Sequence, residues 1–270
     1  MDPALAVTLI VTSLVFTGIW LIHVSTEDAG VIDFYWGPGF AVIGFITMAF
    51  HGTFSIEHTI FMAAITLWAA RLTWHLGTRH MRATSEDGRY REMRSQGGKT
   101  YWWASLFKVF LLQAVILWVI ATPVHIAMRT SVAPDFNVLV FGLGLAIFAV
   151  GFVIESVADA QLVRGKKQRA HSDASPQIVE QGLWAMSRHP NYLGEIILWW
   201  GLGVSAFAIS GSLFALGGPL LLTGVIMGVS LPLTEQWLEK SRPNYAAYKQ
   251  RVPKLLPRVS AIVGQQQTFE

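Results

Sequence analysis

No cysteine occurs among the 270 residues, which excludes disulfides, thiolate metal sites and cysteine nucleophiles. Charge is nearly as scarce. Asp, Glu, Lys and Arg make up 14% of the chain, against about 25% in soluble domains, so composition excludes an ordinary water-soluble fold. No G-x-x-x-x-G-K is present and no G-x-G-x-x-G follows a strand pattern, so a nucleotide would not be held by a P-loop or a Rossmann domain. Serine-hydrolase signatures are missing as well. The eight histidines show no H-x-x-H or H-E-x-x-H pattern, which argues against a metal site. The net charge of +3 is not gathered on one face of a soluble module, so nucleic acid is not an expected partner.

What the chain has instead is apolar length. Hydrophobic residues make up 53% of it, and runs of roughly 20 mostly apolar residues, the length that crosses a bilayer, recur seven times, at 3–23, 32–50, 56–76, 102–122, 137–157, 192–209 and 213–233. None alternates with the period of a membrane barrel. The expected fold class is therefore all-α and integral to the membrane, a single domain over residues 1–260 with seven transmembrane helices and a disordered tail over 261–270. The first run has no Lys or Arg before it and no A-x-A cleavage site after it, so it reads as a retained span. The second is interrupted at its start by Gly37, Pro38 and Gly39. Such breaks are tolerated where backbone lines protein or a cavity, which singles out the neighbouring Asp33 and Tyr35. Basic residues gather in alternate connections: Arg79 to Lys99, Arg164 to Arg188, and the tail from Lys240 to Arg258. The positive-inside rule puts those segments in the cytoplasm, with the N-terminus outside and the C-terminus inside.

Three segments on that cytoplasmic side could carry chemistry. The first loop interleaves Arg82, Arg89, Arg91 and Arg94 with Glu86, Asp87 and Tyr90. Arginines there suit bidentate phosphate binding or, more plainly, anionic lipid headgroups. In the second, Glu155 and Asp159 lie four residues apart and share one helix face, so they call for cationic or hydroxyl partners, unless both are simply solvated. The third reads GLWAMSRHPNYLGEIILWWG from Gly182 to Gly201. Gly182 is expected to turn the chain and Pro190 to sit in the first turn of a helix. That helix puts Asn191, Glu195 and Trp199 on one stripe beneath Arg188 and His189. A carboxylate at a membrane edge costs free energy unless paired or wet and marks a candidate functional site; the plainer account is helix capping by Asn191 and Glu195.

The segment SRHPNYLGE, with QGLW before it and WWG after it, resembles the C-terminal signature of the steroid 5-alpha reductase superfamily. EDGRY (Glu86–Tyr90), ADAQL (Ala158–Leu162) and RPNYAAYKQRVPKLLP extend the resemblance over roughly residues 30 to 258, towards a bacterial membrane-protein branch. The signature is shared with isoprenylcysteine methyltransferases and sterol C14-reductases. The resemblance implies a seven-helix fold with NADPH in a cytoplasm-facing cavity and a lipophilic substrate arriving from the bilayer. It also implies roles for individual residues. Asp159, Arg164, Lys166, Asn191 and Glu195 would line the cofactor site with Arg188, His189 and Tyr192. Arg89, Tyr90 and Arg94 would face its phosphates and adenosine, and Tyr248 and Arg251 would close it. One departure is expected to matter. The eukaryotic steroid reductases polarise the substrate ketone with a Gln-Glu pair on helix two and a Tyr on helix three, and neither is found; Trp68 stands about where the Tyr belongs. Tyr35 and Asp33, with Glu195, are then the catalytic candidates, Tyr35 as donor to a carbonyl oxygen. Reduction of an activated C=C bond is the expected reaction. The alternatives are an S-adenosylmethionine-dependent methyltransferase, with Glu235 and Glu239 as remnants of its acidic element, and a non-catalytic lipid-binding relative.

Overall fold

The structure, a computed structural model, describes residues 2–81, 88–169 and 178–257, with the side chains of Arg89 and Arg169 excepted. Among these residues the regular structure is all helical. Six helical stretches are long and apolar enough to cross a membrane: Pro3–Thr26, Ala29–His51, Tyr90–Ile120, Val138–Gln168, Pro190–Ser210 and Leu213–Ser241. The protein is thus an integral membrane protein. The run expected at 56–76 is also a helix, Ile56–Met81, but Glu57, His58, Arg71 and His75 make it too polar to stand with the other six. The expected tail at 261–270, together with Glu86 and Asp87 of the EDGRY segment, lies outside the described residues.

The chain divides into two compact units, Met1–Leu145 with Leu202–Leu221, and Ala146–Gly201 with Leu222–Glu270. The first unit opens on α1 (Pro3–Thr26), where the Asp2 carboxylate accepts from the Ala4 N–H at 2.9 Å and Pro3 occupies the first turn, where its missing N–H costs nothing. A 3₁₀ segment, Ala29–Tyr35, leads directly into α2 (Trp36–His51). Gly37, Pro38 and Gly39 do not break this helix. Pro38 falls in the first turn, whose N–H groups have no intrahelical partner anyway, and the glycines permit close approach. A Cβ on Gly37 would sit 2.7 Å from the Ala69 carbonyl oxygen on α3 (Ile56–Met81), and one on Gly39 2.9 Å from Leu117. The sequence signal was real: the two glycines allow close packing, and Pro38 with Phe34 lines a groove along α3.

After α3 come α4 (Gly88–Gly97) and α5 (Tyr101–Ser105). A wider, π-helical turn at Leu106–Leu111 joins α5 to α6 (Leu112–Ile120). The fourth apolar run was expected to reach Thr122, but the chain stops at Ile120 and restarts as α7 (Thr122–Arg129) because Pro123 cannot continue the hydrogen-bond ladder. The second unit takes α8 (Val138–Arg169) from Ala146 onward and α9 (Pro190–Ser210) as far as Gly201. It continues from Leu222 in α10 (Gly217–Val225) through a second π-helical turn, Ile226–Ser230, to α11 (Leu231–Ser241) and α12 (Tyr245–Arg251). Of the six apolar stretches α9 is the most enclosed and α1 the least. Exposed Leu139, Leu143, Val150, Val153 and Val157 give α8 an apolar outer face.

Candidate functional site

Within the second unit, α8 and α9 touch backbone to backbone. A Cβ on Gly194 would lie 2.5 Å from the Glu155 amide and 2.7 Å from the Gly151 carbonyl, and one on Gly151 would run into the Leu198 amide. The pairs 151 with 198 and 155 with 194 fix an antiparallel register, which continues to Asp159 level with Pro190. Glu155 and Asp159, each 4% exposed, therefore share a helix pair with half-buried Asn191, Tyr192 and Glu195. Asn191, Glu195 and the buried Trp199 follow one another at four-residue intervals on α9, as expected.

The ADAQL and QGLW segments meet in the same unit for a definable reason. The Trp184 indole donates to the Ala158 carbonyl at 2.9 Å, and the Leu183 amide donates to Gln161 Oε1 at 2.9 Å. Gly182 turns the chain at φ 61° with the Gln161 side chain packed against its Cα, a position where a side chain would be both strained and obstructed. Ala158, Val179 and Trp184 form a small apolar cluster beneath. α9 then starts at Pro190, as expected.

Arg188 and His189 are turned towards the chain's own tail. Arg188 Nε and Nη2 donate to Glu235 Oε1 at 2.8 and 2.7 Å, and Nη1 donates to the carbonyls of Lys249 (2.9 Å) and Val252 (2.8 Å). The Arg188 amide adds a bond to the Pro253 carbonyl at 3.0 Å. His189 Nε2 lies 3.2 Å from the same Glu235 oxygen, the Tyr245 hydroxyl donates to it at 3.3 Å, and Lys254 stands 3.9 Å from the other oxygen. Burial pushes the His189 imidazole down to about 4, against the opposing pull of Glu235. The ring is neutral at pH 7, with Nε2–H as donor to the carboxylate. Its face lies 5.8 Å from the Tyr192 ring. Tyr248 is buried and donates to the Trp184 carbonyl at 2.6 Å; burial raises both its phenol and that of Tyr245 above the usual range. Arg251 pairs with Glu180 at 2.8 Å on the surface. Arg164 and Lys166 are exposed near the end of α8.

In the first unit, Tyr35 ends the 3₁₀ segment with its ring edge-on to Phe16 at 5.6 Å. The Tyr90 hydroxyl reaches Asp33 at 3.4 Å, so α4 and the 3₁₀ segment meet there. Arg94 binds the Glu27 carbonyl and lies 3.9 Å from its carboxylate. Asp28 and His80, which the sequence did not single out, pair at 3.4 Å beside them. Nothing local announces that pair, because its partners are 52 residues apart.

The arrangement on α8 and α9 gathers three carboxylates, two of them buried, and an amide on one helix pair. Carboxylates there suit hydroxyl or amide donors and repel phosphate, while cations for phosphate stand one to two turns further along α8. A family model described as a protein of unknown function (DUF1295) matches residues 19–252. A Schizosaccharomyces pombe protein described as uncharacterized is 27% identical over 272 aligned residues, covering 89% of this chain and 76% of that protein. A fungal relative of such extent means that the likeness is not confined to bacteria. With the fold, the signature segments and a match running through nearly the whole of both units, the chain belongs to the DUF1295 family, which is the steroid 5-alpha reductase-like family.

Proposed function

We propose that this protein is an NADPH-dependent reductase of an activated C=C bond in a lipophilic, steroid-, sterol- or isoprenoid-like substrate. The observation that carries the reading is the buried pair Glu155 and Asp159 set across a glycine-to-glycine crossing from Asn191 and Glu195. Ionisable groups within membrane helices are rare and mark a functional site by default. The donor set fits the cofactor in two parts. Asp159, Glu155 and Glu195 would accept from ribose hydroxyls and a carboxamide, with Asn191 as donor and acceptor, while Arg164 and Lys166 would neutralise phosphate.

NADPH, when bound, supplies a hydride for the β-carbon of the substrate. The chain's part is to orient the cofactor through α8 and α9. In the first unit Tyr35, half-buried beside Phe16, is the candidate proton donor, with Asp33 and Tyr90 on the segment that carries it. Arg188, His189 and Tyr248 act indirectly in this reading. They hold the segment that leads into α9, and four of the five Arg188 N–H donors are engaged in doing so. The reading also takes α3 as a seventh crossing, with its exposed Ile60, Leu67 and Trp74 towards lipid. The basic connections then face the cytoplasm, across the inner membrane of a bacterium.

The test is thermal unfolding of the full-length protein in detergent, titrated separately with NADPH, NADH and S-adenosylmethionine. A ligand at one hundred times its dissociation constant stabilises by about 2.7 kcal/mol, a readily measured rise in midpoint. The rise is expected with NADPH, and Asp159→Asn and Asn191→Ala should each weaken it. A rise with S-adenosylmethionine alone would transfer the site to a methyltransferase; no rise with any of the three would sink the cofactor reading.

A further inference from the structure

Past Asp159, α8 loses α9 as a neighbour, because the register that pairs 155 with 194 reaches Pro190, the first residue of α9, at that level. From Ala158 onward the segment 178–185 lies along α8 instead and runs antiparallel to it. A Cβ on Gly165 would meet Val179 at 2.7 Å, Gln161 packs on Gly182 and accepts from the Leu183 amide at 2.9 Å, and the Trp184 indole donates to the Ala158 carbonyl at 2.9 Å. These anchor points on α8, Ala158, Gln161 and Gly165, follow at steps of three and four and so share one helix face. Glu155, Asp159 and Lys166 follow at steps of four and seven and occupy the stripe beside it.

The other side of this segment is held by the tail. Ile178 packs against the cluster of Tyr245, Tyr248 and Val252, Glu180 pairs with Arg251 at 2.8 Å, and the Tyr248 hydroxyl donates to the Trp184 carbonyl at 2.6 Å. Residues 178–185 thus form a strap between α12 and the end of α8, and Trp184 is bonded in both directions. A carbonyl inside a helix already serves the amide four residues on, and its second lone pair is what remains. Ala158 therefore gains no missing partner from the indole. The bond satisfies the donor of the buried Trp184 ring and, in doing so, pins α8 to the strap at the residue next to Asp159.

We infer that Trp184 is a positioning residue of the site: through the Ala158 carbonyl it holds the end of α8, with Asp159 and Lys166, at a set distance from Asn191 and Glu195 on α9, and Tyr248 holds Trp184 in turn. The inference rests on the reductase reading for the identity of the ligand, though not for the strap. A ligand that touches both helices loses affinity when their spacing is no longer set in advance, whereas a fragment that touches one of them does not.

The experiment uses full-length protein in lipid nanodiscs and two measurements, amide hydrogen exchange along α8 and the dissociation constants of NADPH and of reduced nicotinamide mononucleotide. The mononucleotide lacks the adenosine phosphate end and does not reach Lys166. Trp184→Phe keeps most of the ring volume and removes the indole donor. It should speed exchange several-fold in α8 after Ala158, leave the stretch 146–156 protected, and weaken NADPH several-fold while sparing the mononucleotide. Tyr248→Phe, which removes one hydroxyl and no volume, should act in the same direction. Trp200→Phe is the matched control: it deletes an indole bond to Thr223 on α10, 3.1 Å long, and should lower the unfolding midpoint without either effect. Wild-type exchange after Ala158 in Trp184→Phe, a lowered midpoint with unchanged NADPH affinity, or equal weakening of NADPH and the mononucleotide would overturn the proposal. Wild-type protein that binds no NADPH removes the reductase reading instead, and exchange in α8 then decides the strap by itself.

Discussion

Glu235→Ala would leave the Arg188 guanidinium, 6% exposed, without the carboxylate that now meets both its Nε and Nη2. Removing one partner of a buried ion pair costs about 3–5 kcal/mol, because the remaining charge keeps its desolvation penalty. Typical folding stabilities are about 5–15 kcal/mol, so this one truncation takes a large share. The Lys249–Glu239 pair supplies the control. It is as short, at 2.6 Å, but both side chains are 44–45% exposed, and such surface pairs contribute about 0–1 kcal/mol. Unfolding of Glu235→Ala and Glu239→Ala by a denaturing detergent in mixed micelles should therefore differ several-fold in cost. A further comparison dissects the clasp. The double variant Arg188→Met/Glu235→Leu removes both charges, which at many buried pairs is neutral. Here it also strips the donor from the Lys249 and Val252 carbonyls, each costing about 1–3 kcal/mol if left unsatisfied, so the double variant should remain destabilised. Equal costs for the two single variants, or full recovery in the double, would refute the reasoning.

Other outcomes follow from the same geometry. His125 and His189 are both pushed down by burial to about 4, from an ordinary 6.5. The unfolded chain then binds more protons between pH 6.5 and 4, so stability is complete above about 6.5 and falls with pH by up to roughly 3 kcal/mol for each histidine; a midpoint that is flat over this window would contradict it. Both ring nitrogens of His125 are buried without a hydrogen-bond partner, so His125→Phe should hold or raise the neutral-pH midpoint and remove part of the acid sensitivity. Gly194→Ala drives a methyl into the α8 backbone and should cost about 1–3 kcal/mol, as overpacking does, and weaken NADPH stabilisation with it. Gly224→Ala, where the added Cβ meets open space, is the matched control.

The sequence made the helices legible because apolar length is a local property. It also located Gly182 and Pro190, since positive φ and the first helical turn each favour one residue type. What it could not supply was partnership across distance. Arg188 and Glu235 stand 47 residues apart, and periodicity relates only near neighbours. A clue did exist: Glu235 is the first charged residue after Glu195 in an apolar stretch, and a carboxylate so placed needs a cation. The Gly37-Pro38-Gly39 interruption illustrates the opposite limit. Glycines that allow a turn and glycines that allow contact look alike until the neighbouring helix is known. The π-helical turns at Leu106–Leu111 and Ile226–Ser230 carry no residue signature at all.

The Arg188 clasp also has an order in time. Ribosomes deliver the chain from its N-terminal end, and Val252 emerges 64 residues after Arg188. At about 5–20 residues per second, the delay is about 3 to 13 s. Glu235 emerges 47 residues after Arg188, so the arginine meets its carboxylate before its carbonyls and the clasp stays incomplete until Val252 is out. The clasp therefore closes only after Val252 has emerged, and a nascent chain stalled before Lys249 would lack both carbonyl acceptors of Arg188.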